Sequence, residues 1–402
     1  MYRYLGILCL MLIYTNGASA QNDHFEQCLS GLKERARSEK LFAQLIDEVL
    51  ANLKPQPRVI ELDRSQPEFT QTFASYLFQR VTPERIAQGK RLLKQYDTFL
   101  SRLTREHGVP GRYLVAFWGM ETSYGSYLGR MPTLDSLATL ACDQRRSAFF
   151  TDELMQALAL LERESLSPAD MRGSWAGAMG HTQFMPSAYR LHAIDGDGDG
   201  KVNLWRSERD ALASGANYLA HLGWQKGRRW GREIILPAGF PYAETGLANQ
   251  HPVSHWKKLG IRFANGQAVP DVEMQASVLV PSGHRGPAFL VYPNFHIILE
   301  WNRSEYYALA VGLLADRLIG AGPLVHPPSI RETALSRVAV EEMQTKLNRL
   351  GFDAGEIDGV MGSMTQSALR EFQASKGIIA DGYPDQATLC ALSINTGPVS
   401  CL

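Results

Sequence analysis

An excess of charge of either sign is what this 402-residue chain most plainly lacks, with 41 Lys and Arg against 41 Asp and Glu. That balance leaves no polybasic or acidic character to suggest nucleic acid or an anionic membrane as partner. Cysteine is scarce, five residues in all, and no CxxC pair or Cys/His spacing suggests a zinc site. Apolar residues concentrate at the start of the chain, where Arg3 precedes a core from Leu5 to Tyr14 and Ala18-Ser19-Ala20 precedes Gln21. The core is too short for a permanent membrane span. Residues 1–20 therefore read as a secretory signal cleaved after Ala20, with no stable membrane insertion of the mature chain. Cys9 follows Leu8, where a lipoprotein acceptor needs a small residue.

Four cysteines remain after processing, an even number suited to an oxidising compartment. Their clustering favours Cys28 with Cys142 and Cys390 with Cys401, among three possible pairings.

Strand signals are also few. Glu233 to Leu236, Ala276 to Val280 and Ala288 to Tyr292 are the best candidates. Helical periodicity dominates instead: Phe42, Leu45, Ile46, Val49 and Leu50, then Ile86, Leu92, Leu93, Tyr96 and Leu100, with further helices expected over Phe149 to Glu164 and Asp210 to Leu222. Pro55, Pro57 and Pro67 are expected to mark an extended connection. The expected class is mainly α with a minor β element. A Pro-rich stretch at residues 321–334 reads as a linker. It separates a large domain, 21–320, from a small one, 335–402. In the small domain Val340, Met343, Leu347 and Leu350 mark one helix and Thr365 to Phe372 another. DGVMGSMTQSAL from Asp358 is echoed by DGYPDQATLCAL from Asp381, each with a Thr seven residues after the Asp.

A further scarcity bears on chemistry. No serine or cysteine nucleophile motif accompanies His181 or His192, and only one acid is conspicuously placed. The apolar run from Tyr113 to Met120 delivers Glu121, followed by Thr122-Ser123-Tyr124-Gly125. A carboxyl group at the end of such a run should be partly desolvated, which raises its pKa toward the range of a general acid for glycosidic bond cleavage. A second block, from Arg172 through Ser174 to Ser187, is rich in small residues that let a backbone pass close to another surface. Within it Gln183 offers an amide donor and acceptor.

Asp195, Asp197, Asp199, Lys201 and Asn203 fall at alternating positions of a calcium loop, with Gly200 at its sharp turn. Position twelve is Arg206, so the closing acid would come from Glu208 or Asp210 in a longer loop.

The motifs WGMETSYG, GSWAGAMGHTQFMPSAY, DGDGDGKVNLW, GANYLAHLGW and FHIILEWNRSEYYALAVGLLADRL, in this order from about Phe25 to Leu318, resemble the lytic murein transglycosylase B family, the third family of lytic transglycosylases. The tail from Leu335 to Leu392 resembles the three-helix peptidoglycan-binding domain. These resemblances imply a lysozyme-like catalytic domain acting on peptidoglycan glycan strands, a wall-anchoring module, a periplasmic address and a monomer. They place Glu121 on the sole catalytic acid and base, and Ser174, Gln183, Tyr218 and Asn302 along the glycan site, with Tyr124 and Trp301 beside them. Trp301 stands where the family commonly has Tyr, and His181 replaces a frequent Tyr; both keep a flat ring suited to stacking on sugar. The resemblance favours Asp210 as the last calcium ligand. No cofactor is needed for the implied chemistry, and a bound calcium would be structural. The rival readings are a hydrolytic muramidase and a noncatalytic wall-binding protein.

Overall fold

A computed structural model describes residues 15–65, 71–164 and 166–394. The core of the expected signal, Pro67 and Cys401 lie outside them. The described residues fall into two compact units, one within 1–65 and 121–218 and the other within 66–120 and 219–402.

The first unit opens with α1 (Thr15–Ser38), α2 (Ala43–Glu48) and α3 (Pro57–Ser65). The proline-rich segment is not extended throughout. Pro57 is the first residue of α3, a position that suits its fixed φ and missing N–H. Phe42, expected on a core face, lies before α2 and is exposed. After residue 120 this unit continues through α8 (Thr133–Ala141), α9 (Ser147–Arg163), α10 (Pro186–His192) and most of α11 (Glu208–His221). Cys28 on α1 is bonded to Cys142, which caps α8, as its clustering suggested. A two-residue antiparallel pair, β1 (Met131–Pro132) with β2 (Arg172–Gly173), fixes the start of the small-residue block.

The second unit contains α4 (Phe73–Arg80), α5 (Pro83–Gln95), α6 (Asp97–His107) and most of α7 (Gly111–Thr122). The helix starts are written locally. Thr72 accepts from Ser75 N, and Thr82 accepts from Arg85 N ahead of Pro83. Left-handed Gly108 ends α6. The apolar pattern from Ile86 to Leu100 is divided at Tyr96, which closes α5 and opens α6.

Further along, β3 (Gly231–Ile235), β4 (His251–Pro252), β5 (Arg262–Phe263), β6 (Gln275–Leu279) and β7 (Ala288–Val291) form an antiparallel sheet in the order β4-β6-β7-β3-β5. The three expected strands are its centre; β4 and β5 are too short to show a period of two. Between β4 and β5, α12 (Val253–Lys258) buries Trp256 in the sheet's core. Then α13 (Pro293–Trp301) leads to α14 (Glu305–Leu318), whose Gly312 lies so close to the Trp230 ring that an added Cβ would fall 2.3 Å from it.

The last helices are α15 (Arg337–Arg349), α16 (Ser363–Ser375) and α17 (Gln386–Ala391), around a core that includes Val340, Met343, Leu347, Leu369 and Phe372. Leu350, expected on the apolar face, caps α15 and is exposed. The sequence echo corresponds to a duplicated polar knot. Gln344 Nε2 donates to Asp358 at 2.9 Å and to Thr365 at 3.2 Å, and its oxygen accepts from Gly359 N at 2.9 Å. Gln373 repeats this with Asp381 and Thr388, each at 3.0 Å, and Gly382 N at 2.8 Å. Each amide is 1 % exposed and fully engaged, so the knots can be buried at little cost.

Candidate active site

Helix α7 is apolar around most of its circumference. Tyr113 to Trp118 are each at most 2 % exposed, so its axis is held from all sides. Its last turn delivers Glu121, which is only half-buried, and then buried Thr122. Two consecutive non-glycine residues, Ser123 at φ 48° and Tyr124 at φ 60°, reverse the chain before Gly125 at φ 80°. Such left-handed backbone costs of order 1–3 kcal/mol per residue and persists only where neighbours impose it.

The neighbours are identifiable. Thr122 Oγ1 donates to the carbonyl of His181 at 2.9 Å and accepts from Gly125 N at 3.0 Å. The His181 ring lies against Gly125, where a Cβ would come within 2.3 Å of it. His181 is 7 % exposed and burial lowers its pKa, so it packs the turn as a neutral imidazole. Its ring is closed in rather than presented as a stacking face, contrary to expectation. Tyr124 is likewise 7 % exposed.

The small-residue block folds back on itself. Ser174 N donates to Ala178 O at 2.8 Å, and Ser174 Oγ accepts from Ala178 N at 3.0 Å. Gly129 and Gly173 pass each other with no room for a Cβ, which would lie 2.1 Å from Gly173 O. Gln183, at φ 49°, donates its amide nitrogen to Leu128 O at 3.1 Å and to Gly180 O at 2.9 Å. The donor half of that amide is therefore committed to the loop.

Tyr218 on α11 stacks on His192 at 4.7 Å and meets Phe184 edge-on at 5.4 Å. Glu121, Tyr124, Ser174, Gln183 and Tyr218 thus belong to one compact unit, joined through Thr122, His181 and Phe184. Trp301 and Asn302 belong to the other. Trp301 ends α13 with its ring 4.5 Å from that of Phe117, and Asn302 is exposed, its side-chain oxygen accepting from Ser304 N at 3.1 Å.

Sequence reading missed Thr122, whose hydroxyl ties the acid's helix to the loop, and Glu153. Glu153 is a buried carboxylate on α9 that accepts from Ser187 Oγ at 2.6 Å and Ser187 N at 2.9 Å, and burial raises its pKa. It lies in the ordinary amphipathic pattern of a helix, so nothing local marks it.

In the acidic loop, carboxylate oxygens of Asp195, Asp197 and Asp210 lie within 4.8 Å of one another. Asp199 is not among them; it accepts from Lys201 N at 2.8 Å, while Asn203 Oδ1 accepts from Trp205 N and Arg206 N at 3.1 and 3.0 Å. Asp210 is buried in the first turn of α11. Burial raises its pKa against the N–H groups of Asn203 and Gly196, and Asp197 adds repulsion. A convergent all-oxygen set with crowded negative charge fits a hard divalent cation such as calcium.

Among the described residues no helix is long and apolar enough to cross a membrane.

The family described as transglycosylase SLT domain matches residues 24–316, and the putative peptidoglycan binding domain family matches residues 336–392. The chain is 32 % identical over 286 residues to the membrane-bound lytic murein transglycosylase B of Escherichia coli (strain K12), covering 68 % of this chain and 77 % of that one. The crystal structure of SltB3 from Pseudomonas aeruginosa in complex with NAG-anhNAM-pentapeptide superposes with a TM-score of 0.86 at 43 % identity, over 92 % of this chain and 99 % of that one. The Escherichia coli lytic transglycosylase Slt35 in complex with calcium superposes with a TM-score of 0.63 at 31 % identity, over 74 % and 92 % of the two chains. With a buried helix ending in a half-buried acid, a loop fastened behind it and a family match across both, the chain belongs to the transglycosylase SLT domain family and carries a peptidoglycan-binding domain behind it.

Proposed function

We propose that this protein is a peptidoglycan lytic transglycosylase in which Glu121 is the single acid and base. The observation that carries the reading is the placement of Glu121 at the end of buried α7, on a strained turn fastened to the Ser174–Gln183 loop. Glu121 protonates the oxygen linking C1 of N-acetylmuramic acid to N-acetylglucosamine, and the C1–O bond breaks. The substrate's own acetamido oxygen supports the electron-poor C1, taking the part a second carboxylate plays in most glycosidases. The Glu121 carboxylate then accepts the proton of the C6 hydroxyl as O6 bonds to C1. The product is a 1,6-anhydro ring, Glu121 regains its proton, and no water is consumed.

Ser174, Gln183, Tyr218, Tyr124, Trp301 and Asn302 are assigned to glycan binding. Within that set Gln183 and Tyr124 act chiefly by shaping the loop, given the bonds of the one and the burial of the other. Asp195, Asp197 and Asp210, with further oxygen donors from Asp199, Lys201 and Asn203, would hold a structural calcium that takes no part in the chemistry. Residues 21–320 form the catalytic domain, 321–334 the linker and 335–402 the wall-binding module of a periplasmic monomer exported by residues 1–20.

Mass spectrometry of muropeptides released from purified sacculi tests the reaction. Products lighter by one water than hydrolytic ones are expected, whereas reducing ends would make the protein a muramidase. Glu121→Gln should abolish release while the protein still sediments with sacculi; retained turnover would remove Glu121 from its role.

A further inference from the structure

Outside the site just described, the sheet region gathers two imidazoles and a carboxylate that no step of the chemistry uses. Glu244 ends a 3-10 turn over Tyr242–Glu244, His251 begins β4, and His255 lies on α12. Their ligating atoms all fall within 4.8 Å of one another. Glu244 Oε2 is 2.7 Å from His255 Nε2 and 3.9 Å from His251 Nε2. The two imidazole rings stack at 4.3 Å, 28° apart. All three side chains are partly exposed, so an ion can reach them.

The frame beneath them is rigid. His251 pairs with Ala276 across β4 and β6, and fully buried Trp256 donates its indole N–H to the carbonyl of the same Ala276 at 2.9 Å. Both imidazoles meet the Trp256 ring edge-on at 5.3 Å. On the other side, Asn249 donates to the carbonyls of Ala243 and Thr245 at 3.3 and 3.1 Å, closing the loop that presents Glu244.

We propose that Glu244, His251 and His255 form a binding site for a borderline divalent metal of the zinc class, which clasps the 3-10 turn, β4 and α12 together. Imidazole nitrogen with one carboxylate is a donor set that zinc accepts and calcium does not favour. With metal–ligand bonds of about 2.1 Å, a tetrahedral site places its donors about 3.4 Å apart. That spacing lies between the 2.7 and 3.9 Å separations of Glu244 from the two histidines, so small side-chain rotations suffice. A water would complete the shell from the exposed side. Unlike the acidic loop, which collects oxygen donors alone, this cluster is selective for the softer ion. The two sites can therefore be loaded separately.

The test is isothermal titration of metal-free, full-length protein with Zn²⁺ in the presence of excess Ca²⁺, which keeps the acidic loop filled. One saturable Zn²⁺ site is expected, and His251→Ala or His255→Ala should weaken it by more than the roughly 10–100-fold that loss of a mere supporting partner costs. Absence of saturable uptake, or uptake unchanged in both variants, would reduce the cluster to a Glu–His contact. Footprinting of the unmutated protein with diethyl pyrocarbonate gives an independent reading. Zn²⁺ should protect His251 and His255 and leave the remaining histidines as reactive as before, while equal labelling with and without Zn²⁺ overturns the site.

Discussion

The hydroxyl of Thr122, one residue beyond Glu121, donates to the backbone carbonyl of His181 at 2.9 Å, across 59 positions of sequence. The turn that follows Glu121 is thereby tied to the small-residue loop within the first unit, and the same oxygen anchors Gly125 N. Glu121 is held from behind by its chain neighbour.

Thr122→Val keeps the shape and removes both bonds. A buried carbonyl and an amide then lose their partner, which should cost about 1–3 kcal/mol in denaturant unfolding. Because Glu121 shifts with the turn, kcat should fall by up to about 100-fold with little change in sacculus binding. Thr122→Ser should restore both, and a Val variant with unaltered kcat would mean that the tie does not position the acid.

Cys28 and Cys142 are 114 residues apart and join α1 to the end of α8. Closing so long a loop restricts the unfolded chain, so the double substitution to serine should lower stability by about 2–5 kcal/mol. Equilibrium unfolding in guanidinium measures it. With reductant present in both measurements, the unmutated protein's midpoint should fall to that of the double variant.

Calcium should raise the thermal midpoint, since an ion that binds only the folded state stabilises it by about 2.7 kcal/mol at 100 times its dissociation constant. Asp197 is exposed and tied only locally, to Ser207 and Asp199, so Asp197→Asn should fold normally. The calcium-induced rise should disappear in that variant and on addition of chelator. A rise of equal size in Asp197→Asn would exclude the loop.

Glu305, at the start of α14, is driven by burial to a pKa of about 7 against an ordinary 4.5, opposed by Arg370 of α16. The folded state therefore keeps a proton that the unfolded chain releases as pH rises. Below pH 4.5 both states are protonated and nothing is lost; between 4.5 and about 7 stability falls, and above that the loss is constant. Glu305→Gln should flatten this part of the pH–stability curve, measured by urea unfolding at intervals from pH 4 to 8. An unchanged slope would show that Glu305 ionises freely in the fold.

Much of this anatomy was legible in the chain because its signals are local. Ten or more residues of apolar period make α9 and α11 visible, and the Asp-Gly echo foretold two equivalent turns. Glu121 stood out because a carboxylate directly after Phe117-Trp118-Gly119-Met120 contradicts its surroundings. The strands β1, β2, β4 and β5 stayed hidden, since two residues carry no period and exist only through their partners. Pro57 misled because a proline breaks a helix interior but begins one equally well.

By itself the sequence determined the helical class, and it marked the Pro-rich stretch before the tail, Glu121 and the acidic loop as candidates, all from residue types a few positions apart. Only the tertiary structure decided what those residues touch. It set His181 inward against Gly125, spent the Gln183 donor on Leu128 and Gly180, put Asp210 rather than Asp199 beside Asp195 and Asp197, and brought Glu244 to two histidines. The reason is physical: burial and hydrogen-bond partnership depend on contacts between segments distant in sequence, and no local pattern encodes which distant atom arrives.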